Sequence, residues 1–329
     1  MKDTKNTEND HAFSDFSRSF QNFSDACIKK LLICKKNITM LSILIPVYNW
    51  NITSLVSELK KQCDNSDIEY EIIAIDDCSE KAFREQNQTL TSLQNVSYSE
   101  LSENIGRAKI RNILAEQAKF PYLLFLDCDA EITSQNFTAN YLAECQGSTI
   151  VCGGTQYEPV CTNKKFRLRW KYGIKRECKK TDFSSFNFLI SKDLFDKVKF
   201  NEVFASYGFE DTYFHFSLHK HGFSLKKINN QLIHKGLYSS GEFLSRIEES
   251  LQNLSYLYQK QHISDEFLEY LKIGKTYNKI QQFHLTKVIV FFHKSTCFLT
   301  KWLVKKTSSL FLLDIYKIGF FCQQMNYKK

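Results

Sequence analysis

The chain has 329 residues, 43% of them hydrophobic, and a formal net charge of +8. That composition is ample for a globular core, while only three prolines (Pro46, Pro121, Pro159) and eleven glycines exclude a long Pro/Gly linker, and no internal repeat is visible. The charge is uneven: residues 271–329 hold eleven lysines and one acid, Asp314, a surplus of ten that leaves the remaining chain at about −2. This argues against a nucleic-acid groove on the body of the protein and for an anionic surface met by the C-terminal segment.

Residues 1–40 are polar, then weakly amphipathic, and read as an N-terminal extension. Their opening, M-K-D-T-K-N-T-E-N-D, lacks the apolar core of a signal peptide. The eleven cysteines show no C-x-x-C spacing and several (Cys78, Cys128, Cys152) sit in or beside apparent core strands, so reduced thiols and a cytoplasmic location are expected. On the same ground, Asn51-Ile52-Thr53 is not expected to be glycosylated.

From Leu41 the pattern changes. S-I-L-I-P-V predicts a strand, Thr53 to Gln62 a helix, Tyr70 to Ile75 a second strand and Val96 to Ser99 a third. Gly106 to Ala118 is helical, Pro121 breaks it, and Tyr122 to Leu126 forms a buried strand. Thr149 to Cys152 is a further strand. Residues 155–182 are rich in Lys, Arg and aromatics. A strand at Phe186 to Ile190, a helix around Asp211 to His221 and short β runs near Leu225 and Leu232 follow. Strands alternating with helices imply an α/β fold with a mostly parallel, doubly wound sheet over 41–240, followed by a helical, Lys-rich segment at 241–329.

The strand Y-L-L-F-L runs into Asp127-Cys128-Asp129. Alternation along an extended backbone would put both carboxylates on one side at the strand's carboxyl end, where open α/β sheets bind ligands. Two such oxygens suit magnesium or manganese with positions open for a diphosphate, though strand-ending turns are also rich in Asp. The first two strands end in P-V-Y-N and D-D-C-S, so Asp77 could accept from a uracil N3–H and Tyr48 cover its ring; turn chemistry is the competing reading. Arg107 and Arg111, four apart near a helix start, are spaced for a phosphate or ribose or for an ordinary surface pair.

In this order the motifs S-I-L-I-P-V-Y-N, I-I-A-I-D-D-C-S, N-I-G-R-A-K-I-R-N, Y-L-L-F-L-D-C-D and Y-G-F-E-D resemble the inverting family 2 glycosyltransferases of the GT-A fold, over roughly residues 41–237. The resemblance implies a nucleoside pocket of Pro46, Tyr48 and Asp77 faced by Arg111, with Asp127 beside it. It makes Asp127 and Asp129 the Asp-X-Asp that holds the metal, with His234 as a further ligand that would favour manganese. The catalytic base would be Asp211, with Glu210 on an acceptor hydroxyl. Asn187 and Gly154 would lie on the acceptor or sugar side. Implied partners are a nucleotide-sugar donor, most simply UDP-linked, and a glycan or lipid-linked saccharide acceptor used in cell-surface polysaccharide synthesis. The processive members' Q-x-x-R-W motif is missing: R-L-R-W at Arg167 to Trp170 lacks the Gln and precedes the Glu-Asp pair, so transfer of single hexosyl or N-acetylhexosaminyl units is expected. A sugar-nucleotide pyrophosphorylase would need a glycine-rich basic loop after the first strand, which P-V-Y-N-W-N does not provide. A non-catalytic assembly partner at the membrane is the remaining alternative.

In the tail, Val288, Phe291, Phe292, Phe298, Leu299 and Trp302 share one helical face, with Lys287, Lys294 and Lys301 along its flank. Charges interrupt every apolar run before the roughly 18 residues a bilayer span needs. Peripheral contact with the inner face of the membrane through 283–322, and packing on the protein or on a second subunit, both fit this pattern.

Overall fold

The structure is a computed structural model that describes residues 39–179 and 183–327. The expected extension at 1–40 therefore lies outside the described residues but for its last two. A seven-stranded sheet runs in the order β3-β2-β1-β4-β8-β6-β9. Its strands are β1 (Thr39–Val47), β2 (Ile68–Asp76), β3 (Val96–Glu100), β4 (Tyr122–Leu126), β6 (Ile150–Cys152), β8 (Asn187–Ser191) and β9 (Lys226–Lys227). A small second sheet, β5-β10-β7, joins Ala130–Glu131, Leu232–His234 and Thr155–Gln156.

The mostly parallel α/β reading holds. β1 pairs with β4 in parallel from Leu41↔Tyr122 to Leu44↔Phe125, and β2 with β3 from Ile72↔Val96 to Asp76↔Glu100. One strand departs from it, since β8 is antiparallel to both β4 and β6. The reason is topological: β6 ends at the carboxyl edge, and among the described residues no other strand of this sheet intervenes before β8, which therefore runs back beside it.

Alternation sorts the core into two layers. Ile43, Ile45 and Val47 face Leu55, Val56 and Leu59 of α1 (Thr53–Asp64). Leu44, Leu123 and Phe125 face Ile110 and Leu114 of α3 (Arg107–Gln117), Phe195 of α6 (Lys192–Val198) and Phe214 of α7 (Glu210–Lys220). The remaining short helices of this region are α2 (Lys81–Asn87), α4 (Phe137–Leu142) and α5 (Arg167–Tyr172). Sheet burial on both faces explains why the strands read as near-continuous apolar runs.

From Ser240 onward the chain is helical: α8 (Ser240–Gln259), α9 (Asp265–Tyr270), α10 (Lys272–Gln282), α11 (Thr286–Thr307) and α12 (Leu310–Asn326). A capping box starts α8, in which Glu242 N donates to Ser239 Oγ and Ser239 N donates to Glu242 Oε2. Its apolar stripe, Phe243, Leu244, Ile247, Leu251 and Leu254, shares a third cluster with Leu168, Phe204 and Phe216 from upstream and with Leu313, Tyr316 and Phe321 of α12. On α11 only Val290, His293 and Val304 are buried, while the aromatic face noted in the sequence points outward. Among the described residues no helix is long and apolar enough to cross a membrane.

Phe125 is fully buried and stacks on Phe188 at 4.8 Å and Phe195 at 5.3 Å. Phe125→Ala is expected to cost roughly 3–5 kcal/mol in urea unfolding, through lost contacts and a cavity the stacked rings cannot close. A cost below about 1 kcal/mol would show that the ring is not a keystone of this layer.

Candidate active site

The sheet order places β1 and β4 side by side with their connections leaving in opposite directions, which opens a crevice at their carboxyl ends. A cleft of roughly 600 Å³ lies there, walled by Pro46, Tyr48, Asp77, Arg107, Asp127 and Asp129 among others. The ends of β1 and β2 are tied together. Asn49, with φ +49°, donates its backbone N–H to Ser79 Oγ at 2.7 Å, and its side-chain oxygen accepts from Glu80 N at 2.7 Å. Asn tolerates that left-handed backbone because its short side chain bonds locally. Tyr48 is thereby left half exposed on the cleft wall.

Asp77 caps the turn before α3: Ile105 N donates to one carboxylate oxygen at 2.7 Å and Gly106 N to the other at 3.1 Å. Burial pushes its carboxyl above the usual range even though these amides oppose the shift. Each oxygen keeps a lone pair for a ligand. Gly106 adopts φ +84°, and a Cβ there would meet Ala205 O at 2.6 Å, so this position requires glycine.

The acidic pair differs from the expected extended alternation. β4 ends at Leu126, and Ala130 N donates back to Asp127 O at 3.2 Å, so Asp127-Cys128-Asp129 forms a turn. Both carboxylates still reach the cleft but serve different neighbours. Arg111, 1% exposed, donates from Nη2 to Asp127 Oδ1 at 2.6 Å and from Nη1 to Arg107 O at 3.2 Å, and lies over Phe200. It therefore braces Asp127 from below instead of pointing freely at a nucleoside. Arg107 diverges from Arg111, sitting over Tyr207 and 3.9 Å from Glu210 Oε1.

Asp129 faces His234, with Oδ2 3.7 Å from Nε2. Burial raises the Asp129 carboxyl, and burial lowers His234 below its ordinary value, so the imidazole is neutral at physiological pH. Its ring is sandwiched between Tyr157 and Phe186, with centroids at 5.3 and 5.0 Å. Arg169 Nη2 lies 3.3 Å from Nε2; because guanidinium only donates, Nε2 carries the lone pair and the proton sits on Nδ1, which is buried without a partner. Arg169 also donates to Glu177 Oε2 at 3.0 Å. Burial pushes Glu177 up, but Arg169, Tyr157 and His234 together hold it below the usual range. A carboxylate oxygen and an imidazole nitrogen this close would fit manganese or magnesium only once Arg169 gives up its bond to Nε2 and frees that lone pair, with the other positions left to a ligand's oxygens. Among the described residues no third His, Cys, Asp or Glu joins them, Asp127 being turned to Arg111.

Four of the expected site residues, Asn187, Gly154, Glu210 and Asp211, do not line this cleft. Asn187 is 1% exposed and spent inside the protein, its amide donating to Asn230 O at 2.7 Å and its side-chain oxygen accepting from Tyr141 OH at 2.5 Å. Gly154 is absent from the cleft wall and serves the same inner network, its carbonyl accepting from Asn187 Nδ2 at 3.3 Å. Neither Glu210 nor Asp211 forms part of the wall, which at this point is Ala205, Ser206 and Tyr207. The pair opens α7, so the first helical turn splays the two side chains. Glu210 is buried and receives Gly208 N at 3.2 Å, whereas Asp211 is partly exposed, with Oδ1 accepting from Thr212 N at 2.6 Å. Burial, and then the neighbouring Asp211, raise the Glu210 carboxyl. Sequence reasoning missed Tyr207, Tyr238 and Arg246, which share the cleft wall and stack, Arg246 lying 4.1 Å from the Tyr238 ring centroid. It also missed the Arg169–Glu177 pair, since neither group shows a motif.

Residues 42–204 match the family model described as Glycosyl transferase family 2. A 97-residue stretch is 33% identical to the poly(ribitol-phosphate) β-N-acetylglucosaminyltransferase TarS of Staphylococcus aureus, covering 29% of this chain and 17% of that protein. A second match, 29% identical over 148 residues, is an uncharacterised glycosyltransferase of Haemophilus influenzae, at 38% of this chain and 47% of the relative. The chain thus spans less than half the length of the curated relatives it matches. Among solved structures, the mannosyltransferase PcManGT of Pyrobaculum calidifontis, in complex with GDP-Man and Mn2+, superposes over 87% of this chain and 85% of its own, with TM-score 0.53 and 12% identity. It shares the fold. The S. aureus TarS 1–349 complex with UDP-GlcNAc covers 87% of this chain and 90% of its own, with TM-score 0.45 and 17% identity.

A Cβ added at Gly236 would stand 2.0 Å from Asp129 Oδ2. Gly236→Ala is therefore expected to displace that carboxylate and weaken Mn2+ binding about tenfold or more, read by paramagnetic resonance of free Mn2+, with little loss of fold. Unchanged binding would remove Asp129 from the proposed pair of ligands. Glu210 gives a prediction of opposite sense. A carboxyl raised by folding contributes stability below its ordinary value of 4.5 that is lost as pH rises through the folded value. Glu210→Gln should raise the thermal midpoint at pH 7 and do little at pH 4; destabilisation at pH 7 would contradict the assignment.

Proposed function

Residues 42–204 make this chain a glycosyltransferase of family 2, and on that premise we propose that it is a metal-dependent, inverting enzyme moving a sugar from a UDP-linked donor to a glycan or lipid-linked saccharide. The observation that carries this reading is Asp129 on the wall of a cleft bounded by the ends of β1, β2 and β4, with its Oδ2 3.7 Å from the Nε2 of His234, which stands behind that wall. Pro46, Tyr48 and Asp77 would hold the nucleoside: the half-exposed Tyr48 ring covers one face of the base, and Asp77 retains lone pairs for its N–H. Asp129 and His234 would hold a divalent ion, Mn2+ in preference because one donor is imidazole. Such an ion, when bound, offsets the charge on a departing diphosphate. The TarS relative transfers N-acetylglucosamine, as its name states, and was solved with UDP-GlcNAc, which supports an N-acetylhexosaminyl donor here.

The base is assigned to the α7 pair. Among the described residues Asp211 keeps one carboxylate oxygen without a hydrogen-bond partner, whereas Glu210 is buried against Gly208 N and near Arg107. We therefore keep Asp211 as the group that takes the acceptor hydroxyl's proton. Glu210 then positions Arg107 at the cleft. Because the wall here is Ala205 to Tyr207, the acceptor's arrival must move that rim for Asp211 to reach it; catalytic contacts commonly tighten only on binding. The cysteines among the described residues are all free, which is compatible with work in a reducing cytoplasm on cell-surface polysaccharide precursors.

The test is release of UDP from UDP-GlcNAc and related donors with and without Mn2+. Asp129→Ala should lower turnover by about a hundredfold. Asp211→Asn should lower kcat by roughly 10²–10⁴ while leaving UDP affinity intact. Retained turnover in Asp129→Ala would sink the metal reading, and an active Asp211→Asn beside an inactive Glu210→Gln would transfer the base to Glu210.

A further inference from the structure

Helix α11 presents an apolar face that nothing among the described residues covers. Its buried side is Val290, His293 and Val304, which pack among α8 and α12, while Val288, Phe291, Phe292, Phe298, Leu299 and Trp302 stand outward on the opposite side. Phe291 is 68% exposed and Phe298 84%. These side chains fall on one side of the helix over the 15 residues from 288 to 302, with only Ser295 between their two groups, so they form one stripe instead of scattered surface apolars.

The charges around the stripe decide what can meet it. α11 has no acidic residue and five lysines. Among the described residues Lys301 alone of these pairs with a carboxylate, Glu248 at 2.6 Å, while Lys294 lies 5.7 Å from the Tyr327 ring centroid. Lys287, Lys294, Lys305 and Lys306 have no carboxylate partner among the described residues, and Lys306 lies 4.6 Å from the Trp302 ring centroid. A two-fold contact with a second copy through this face would bring up another helix without an acidic residue and so offer these lysines no counter-charge from α11. An anionic lipid surface has the opposite charge arrangement: headgroups for the lysines and an acyl boundary for the rings. Among the described residues no helix is long and apolar enough to cross a membrane, so α11 would lie in the plane of the surface.

We propose that the Val288–Trp302 face of α11 docks the protein on an anionic lipid surface, with the aromatic rings inserted at the headgroup boundary and Lys287, Lys294, Lys305 and Lys306 over the phosphates. The proposal identifies the face that would bring the cleft to a membrane-borne acceptor, yet it stands apart from the transferase reading, because docking needs neither donor nor metal.

The test mixes the full-length chain with vesicles of phosphatidylcholine containing phosphatidylglycerol, and with vesicles of phosphatidylcholine alone. Sedimentation of the protein with the anionic vesicles is expected, falling as salt is raised, together with a blue shift of Trp302 emission and its quenching by brominated acyl chains. The double substitution Phe291→Ser with Phe298→Ser should weaken vesicle binding by roughly a hundredfold, leaving the fold and UDP release intact because both rings are exposed. Lys287→Gln with Lys294→Gln should weaken binding to the anionic vesicles alone. Absence of binding overturns the proposal, as does equal binding to both vesicle types. Trp302 emission that ignores the vesicles also overturns it; a dimer by light scattering that the Phe291/Phe298 substitutions dissociate would then assign the face to a second copy.

Discussion

One buried guanidinium organises the cleft. Arg111 is removed from water, fastened to the α3 backbone at Arg107 O, laid on Phe200 and paired with Asp127 at 2.6 Å. A charge so deep is tolerable only with a partner of fixed geometry, so Asp127 cannot swing out to join Asp129 without stranding Arg111. The acidic turn is thereby split into two functions. Asp127 is an anchor, and Asp129 alone is delivered to His234. The Gly236 backbone closes the space behind Asp129 Oδ2, and the Tyr157–Phe186 sandwich fixes the imidazole plane. These constraints all come from elements distant in sequence, and each is rigid because its neighbours are packed.

The electrostatics of the region have the character of a site held away from its own stability optimum. Burial raises Asp77, Asp129 and Glu210 and lowers His234, so the folded state keeps several ionisable groups in their less comfortable forms. Clusters of perturbed groups on a cleft are the usual signature of chemistry or ligand binding. Arginines supply the compensation: Arg111 to Asp127, Arg107 near Glu210 and Arg169 to Glu177. A ligand's phosphates would enter a pocket already lined with fixed positive charge, which lowers the reorganisation needed on binding.

The C-terminal helices serve two masters. Their inner faces complete a third hydrophobic cluster with Leu168, Phe204 and Phe216, so the rim segment at Ala205–Tyr207 is backed by residues that come much later in the chain. Arg246 of α8 reaches the cleft wall from this same layer, stacking on Tyr207 and Tyr238. Among the described residues nothing packs over the outer face of α11. Rings left in water on an all-basic helix are unusual enough that their retention points outside the monomer.

Much of this protein was legible from its residues alone. The β/α alternation, the strand ends P-V-Y-N and D-D-C-S, the Asp-X-Asp and the helical tail announce themselves because local backbone preference and burial act over a few neighbouring positions. What needed the tertiary structure was every decision between spatial alternatives. The turn at Asp127–Ala130 replaced strand alternation, Arg111 went beneath the site, and Asn187 and Gly154 went into an inner hydrogen-bond network with Asn230 and Tyr141. Arg169, Glu177 and Arg246 carry no pattern in the chain, since their importance arises only from where α5 and α8 lay them. A sequence specifies which groups are present and how they repeat; which carboxylate meets which cation is settled by packing between segments far apart, where desolvation makes the wrong pairing costly.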